Sequence, residues 1–297
     1  MTKKTHTDTQ SSPHSIASAL QWAVTTLSDV TDVPELEAEI LLTHALQTNR
    51  SHLRAWPEKS LTELEQKHFF QQVNRRIQGE PIAYITGKQE FWSLELTVTP
   101  DTLIPRPETE LLVELALKYL PRDRPVVIAD LGTGSGAIAL ALAKERQDSI
   151  VYATDVMAAA LAVAKTNANE LNLKNIYFQQ GDWCKALPGF LFDAIISNPP
   201  YIAENDPELC EKVRQSEPLS ALIAPENGLQ ALSLIIQDAK KSLKSNGYIL
   251  LEHGHRQAAA VKQLLQENGY TKIETYPDLA GLDRVTIGQF QRVKIAS

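Results

Sequence analysis

Cysteine is almost missing from this chain: its 297 residues include only Cys184 and Cys210. Two such residues build neither a disulfide framework nor a metal knuckle, so they read as reduced thiols. A long apolar run is missing too. No uninterrupted stretch approaches the roughly 20 residues that cross a bilayer, and the polar, Ser/Thr-rich opening Met1 to Pro13 lacks the apolar segment of a secretory leader. Residues 1–14 therefore read as a disordered polar tail, with no membrane partner and a cytoplasmic location expected. Positive charge is in deficit, with 29 Lys and Arg against 36 Asp and Glu for a net −7. That balance disfavours a surface built to neutralise many phosphates, so no direct nucleic-acid partner is expected. His253-Gly254-His255 has no third ligand at a matching spacing, and no metal is expected. What is present is an apolar share of 43 %, in a chain long enough for two domains, each with a core.

The hydrophobic pattern divides the chain. From residue 15 to 83 it predicts a helical bundle. Ile16, Leu20, Val24 and Leu27 recur at near-helical spacing, Pro34 opens a second helix through Leu36, Ile40, Leu41 and Ala45, and Ser60 with Glu63 reads as a capping box before a third through Phe69, Val73 and Ile77. Residues 84–106 read as an extended, hairpin-like connector, with Tyr84 to Gly87 extended and a strand running from Phe91 to Val98. From 107 to 297 strands and helices alternate. Strands are expected at Val126–Asp130, Ile150–Asp155, Ile176–Gln180, Asp193–Ser197, Gly247–Glu252, Lys272–Tyr276 and Arg284–Phe290. The alternation predicts an α/β fold: a mostly parallel sheet covered on both faces, with an antiparallel last strand.

Ligands of open α/β sheets bind at the carboxyl ends of strands, and four polar groups fall there in order. The first is Asp130-Leu-Gly132-Thr133-Gly134-Ser135-Gly136, whose glycines let backbone N–H groups and a helix N-terminus approach a ligand. Gly132, Gly134 and Ala137 also satisfy a relaxed dinucleotide pattern, but Asp130 would repel a pyrophosphate while suiting the cationic end of S-adenosylmethionine. Asp155 follows, as acceptor from both ribose hydroxyls or as a helix cap. Asp182 can accept from an adenine amino group, and Trp183 can flank the ring or pack in the core. Last comes Asn198-Pro199-Pro200-Tyr201. A conjugated NH2 is a poor nucleophile, because its lone pair is delocalised, and must be held by acceptors that aim it at an activated methyl. Asn198 supplies a side-chain oxygen, the carbonyls beside the prolines supply more, and Tyr201 offers a flat face. As a bare tetrapeptide the same residues also suit an ordinary turn.

The chain resembles the HemK/PrmC family of protein-(glutamine) methyltransferases. The resemblance lies in Arg76-Ile-Gln-Gly79-Glu-Pro81-Ile-Ala-Tyr84-Ile, Ile104-Pro-Arg106-Pro-Glu108-Thr-Glu110, the glycine loop, Asn198 to Tyr201 and Glu252-His-Gly254. It implies a Rossmann-like class I methyltransferase sheet behind a small N-terminal helical domain. It also implies S-adenosylmethionine as cofactor, held by Gly132 to Gly136, Asp155, Trp183 and Asn198, and S-adenosylhomocysteine as product. The implied substrate is the glutamine of the Gly-Gly-Gln motif of class I peptide chain release factors, gripped by Asn198, Pro199, Pro200 and Tyr201. A monomer is the default assembly. A nucleic-acid adenine or guanine methyltransferase would use the same tetrapeptide, and a nicotinamide-dependent or catalytically silent nucleotide-binding module the same loop.

Overall fold

The computed structural model describes residues 14–203 and 217–292. The chain divides into two compact units, Met1–Thr86 and Gly87–Ser297.

The first unit is helical. Helix α1 (Ile16–Leu27) starts at a reciprocal cap between Ser15 and Ser18. Helix α2 (Pro34–Ala45) has Pro34 in its first turn with Glu35 and Glu37, where a missing N–H costs nothing and negative charge suits the exposed N–H groups. The short α3 (Arg50–Ala55), capped by Asn49, was not anticipated. Helix α4 (Glu63–Ile77) begins two residues later than the Ser60–Glu63 pairing predicts. Thr62 is the cap, its Oγ1 accepting from Glu65 N at 3.3 Å while Glu65 Oε2 accepts from Thr62 N at 2.7 Å. Ser60 is drawn instead into an isolated bridge with Ser15. Ile16, Leu27, Leu41, Leu42, Phe69 and Val73 are fully buried, and Trp22 packs its edge against Phe69 and Phe70. The expected extended run from Tyr84 is helical: Pro81 starts a turn, its carbonyl accepting from Tyr84 N and Ile85 N, and α5 spans Ile82–Thr86.

The second unit opens with a hairpin, β1 (Lys88–Phe91) against β2 (Leu94–Thr97). The single strand expected from Phe91 to Val98 is broken because Trp92 and Ser93 adopt φ of 53° and 54°, the left-handed pair that closes a two-residue hairpin. Helix α6 (Glu110–Tyr119) follows a 3-10 turn at Pro107–Thr109. Then come β3 (Val127–Leu131), α7 (Ala137–Glu145), β4 (Ile150–Asp155), α8 (Ala158–Glu170), β5 (Ile176–Gln180), β6 (Phe192–Ser197), α9 (Gln230–Ser242), β7 (Leu243–Glu252), α10 (Ala258–Glu267), β8 (Tyr270–Pro277) and β9 (Asp283–Phe290). These strands form one seven-stranded sheet in the order β5-β4-β3-β6-β7-β9-β8. Pairings from β5 to β7 are parallel, whereas β9 is antiparallel to both β7 and β8 and lies between them.

Helices cover both faces. On one, Leu112, Val113, Ile138 and Leu142 meet Ile128, Val151, Ala194 and Ile196. On the other, Leu232, Ile235, Val261 and Leu265 meet Leu131, Ile195, Ile249 and Leu251. Every residue of β6 is buried, which explains the apolar run Ala194-Ile195-Ile196 at its centre. Leu131 at the end of β3 pairs with Thr154 of β4 on one side and Ser197 of β6 on the other. Strand order reverses there, and the carboxyl ends of β3, β4 and β6 open a crevice between them.

Candidate functional site

The crevice is built by loops that leave these strand ends. Gly132, with φ of 72°, turns the chain out of β3, and its N–H and that of Thr133 both donate to Thr154 O at 2.9 Å. A Cβ on Gly132 would stand 3.0 Å from Trp183 Cζ3, so the indole and the glycine require one another. Gly134, with φ of 56°, faces open space where a Cβ would be, which leaves the loop backbone accessible from the crevice. Gly136 serves packing: its Cβ would press on Leu140 and Ala164, where α7 meets α8.

Asp155 locks the loop to β4. Its Oδ2 accepts from Gly134 N and its Oδ1 from Met157 N, each at 2.9 Å. It is thus both the local cap and a wall of the crevice, and each oxygen keeps a lone pair for a ligand. Val156 and Met157, exposed just beyond it, add an apolar floor with Ala160. Asp182 lines the same space with its Oδ2 on Lys185 Nζ at 2.6 Å. Trp183, at φ of 45°, lines it while packing on the second core cluster.

Six predicted residues stand behind the wall. Asp130 is fully buried, with Oδ2 accepting from Thr133 Oγ1 at 2.6 Å and Oδ1 without a hydrogen-bond partner among the described residues. Burial pushes its pKa up to about 7, against the opposing effect of the Thr133 hydroxyl. Thr133, Ser135 and Gly136 shape the loop from beneath, and Pro199 is buried. Tyr201 packs on the core with Oη donating to Glu252 Oε1 at 3.1 Å, so its ring is held from below by a carboxylate. Asn198 and Pro200 remain on the crevice itself.

Asn198 has a defined polarity. Its Nδ2 donates to Thr109 Oγ1 at 3.1 Å, and its Oδ1 has no partner among the described residues. The backbone after it is clamped. Gln257 Nε2 donates to Tyr201 O at 2.9 Å, Ile202 N and O bond across to Leu222 and Ala224, and a Cβ on Gly228 would fall 1.9 Å from Tyr201 O. Sequence reasoning missed Thr109, Gln257 and Gly228, because nothing local marks them. It also missed the second rim: Asp101, Thr102 and Leu103 together with Pro218, Ser220 and Ala221. Glu217 joins those segments, accepting from Ile104 N at 3.2 Å and pairing with Arg106. His253 is structural, with its ring spent on Gly254 O and Thr286 Oγ1. Cys184 is a buried thiol whose pKa burial raises to about 12, and Cys210 lies outside the described residues.

Three carboxylates, Asp101, Asp155 and Asp182, line the crevice, and no Lys, Arg or His is among the described residues that do. This acceptor set suits a cationic ligand carrying hydroxyl and amino donors and opposes a pyrophosphate. S-adenosylmethionine, which carries a sulfonium, ribose hydroxyls and an adenine amino group, is a ligand of that class.

Residues 18–87 match the family described as PrmC N-terminal domain, and residues 108–215 the one described as methyltransferase small domain. The release factor glutamine methyltransferase of Coxiella burnetii is 49 % identical over 263 residues, which cover 89 % of this chain and 94 % of that protein. Its counterpart in Salmonella typhimurium is 49 % identical over 271 residues, covering 91 % and 97 %. A methyltransferase structure from Pyrococcus furiosus superposes with a TM-score of 0.51 at 20 % identity, over 67 % of this chain and 90 % of that one, a likeness of fold.

Proposed function

As a member of the release factor glutamine methyltransferase family, this chain is an S-adenosylmethionine-dependent enzyme, and we propose that it methylates the side-chain amide nitrogen of the Gly-Gly-Gln glutamine in class I peptide chain release factors. One observation carries the reading. The NH2 of Asn198 is committed to Thr109, so its oxygen is the atom left to receive a donor at the crevice. A glutamine NH2 is such a donor, and a neutral oxygen takes it without adding a charge to desolvate. The carbonyls of the Asn198–Tyr201 turn supply the second acceptor, with Gln257 fixing the turn from behind.

The bound cofactor supplies an electrophilic methyl on a sulfonium. The protein's part is to hold the amide in line with that methyl and to exclude water, a proximity effect that reaches roughly 7–11 kcal/mol. The methylated nitrogen is strongly acidic and loses its extra proton to water, so the reading needs no dedicated base. The chain acts as a cytoplasmic monomer, with no nucleic acid as a direct partner.

The test is mass spectrometry of a release factor incubated with the protein and isotopically labelled S-adenosylmethionine, with DNA and RNA as parallel acceptors. One labelled methyl on the Gly-Gly-Gln glutamine is expected. Label on nucleic acid alone would overturn the reading and favour a base methyltransferase.

A further inference from the structure

The second rim of the crevice is joined by one buried carboxylate that the mechanism above does not use. Glu217 is 7 % exposed, and both of its oxygens reach a segment more than a hundred positions earlier in the chain. Oε2 accepts from Ile104 N at 3.2 Å, and Oε1 pairs with the partly exposed Arg106 guanidinium. Crevice-lining residues flank this joint on both strands of chain: Asp101, Thr102 and Leu103 just before the segment that Glu217 holds, and Pro218, Ser220 and Ala221 just after Glu217 itself.

From that joint two short arms run to the amide grip. In the first, Arg106 stands at the N-cap of the 3-10 turn Pro107–Thr109, Thr109 N donates to Arg106 O at 3.1 Å, and the Thr109 hydroxyl accepts from Asn198 Nδ2 at 3.1 Å. In the second, Pro218 leads into the 3-10 turn Leu219–Ala221, and the residues after it reach the far end of the grip. Ile202 N donates to Leu222 O at 3.0 Å, and Ala224 N to Ile202 O at 2.9 Å. These contacts close a ring: from Asn198 through Thr109 and Arg106 to Glu217, on through Leu222 to Ile202, and back along the turn to Asn198. Each arm is a single tight turn, so a displacement at the joint passes to Thr109 on one side and to Ile202 on the other.

We propose that Glu217 is a positioning residue for the amide grip: by closing this ring it fixes Thr109 against Asn198 and the Asn198–Tyr201 turn against the rim, so that the acceptor amide meets oxygens already in place. The proposal rests on the reading of Asn198 given above. A carboxylate suits the joint because it only accepts, and the two groups it meets, a backbone N–H and a guanidinium, only donate. The other end of the crevice is fixed independently, by the bonds from Gly134 N and Met157 N to Asp155. Opening the ring therefore disturbs the reacting geometry and leaves that end in place.

The experiment measures kcat and KM on a release factor, with calorimetric affinity for S-adenosylhomocysteine, for the parent, Glu217→Ala, Glu217→Gln, Thr109→Val and the combination of Glu217→Ala with Thr109→Val. Glu217→Ala is expected to lower kcat about tenfold or more, as a slightly displaced grip does, with cofactor affinity close to the parent's. Glu217→Gln keeps an oxygen that can accept from Ile104 N and is expected to restore most of that loss. Thr109→Val lowers kcat by itself, and in the combined variant the two losses should not multiply, because a ring opened at one point is already open. Arg106→Met breaks the ring from its exposed side and carries the same prediction, which keeps the test decisive if Glu217→Ala fails to fold. Parent-like kcat in both Glu217→Ala and Arg106→Met, a fall in cofactor affinity that matches the fall in kcat, or losses that multiply in the combined variant would each overturn the positioning role alone. A parent that never labels the release factor overturns the acceptor reading and the proposal resting on it.

Discussion

Asn198 illustrates what decides function at the scale of a single residue. Its identity offers both a donor and an acceptor; which one faces the crevice is set by Thr109, 89 positions earlier in the chain. If the Oδ1 atom is the grip, Asn198→Ala removes an interaction made with the acceptor and none made by the cofactor's ribose or base. We expect a loss of kcat of roughly 100-fold, the scale of a misplaced reacting group. Calorimetric affinity for S-adenosylhomocysteine should stay close to the parent's, and a weakened affinity at intact kcat would assign Asn198 to the cofactor instead. Of the remaining polar residues, Asp155 was legible because it closes a strand before a helix. Asp130 was legible as a carboxylate but not in its placement: it is fully buried and accepts from the Thr133 hydroxyl of the loop.

At the scale of elements, strands were read well and helix starts less so. A strand such as β6 carries its evidence in every residue, because all six of its side chains are buried. A cap rests on one hydrogen bond, and Ser60 and Thr62 are chemically equal candidates for it. The bridge from Ser60 to Ser15 removes the first candidate and leaves the second. We therefore expect Thr62→Ala to cost about 1 kcal/mol in urea denaturation of the helical unit, and Ser60→Ala much less. The reverse order would restore the earlier helix start. The hairpin turn at Trp92-Ser93 was missed for a related reason, since neither residue carries the Asn or Gly that ordinarily marks left-handed turns.

At the scale of the whole molecule, every described residue that lines the crevice falls in the second unit, between Asp101 and Ala221. Saturating S-adenosylhomocysteine is accordingly expected to slow amide hydrogen exchange around Gly132–Gly136, Asp155–Met157 and Trp183 while leaving residues 16–86 at their unliganded rates. Protection spread over the helices of the first unit would contradict a pocket built from the second alone. By itself the sequence determined the alternation of elements, the parallel sheet with its antiparallel strand, the glycine loop and the Asn198–Tyr201 turn. Each of these is a local pattern of apolar period, turn chemistry or strand-end position. Only the tertiary structure decided that Thr109 sets the polarity of Asn198, that Glu252 lies buried beneath Tyr201, that Gln257 and Gly228 clamp the turn, and that residues 101–103 and 218–221 complete the rim. These depend on which strands become neighbours, and a hydrogen bond between residues tens of positions apart leaves no periodic trace in the chain that forms it.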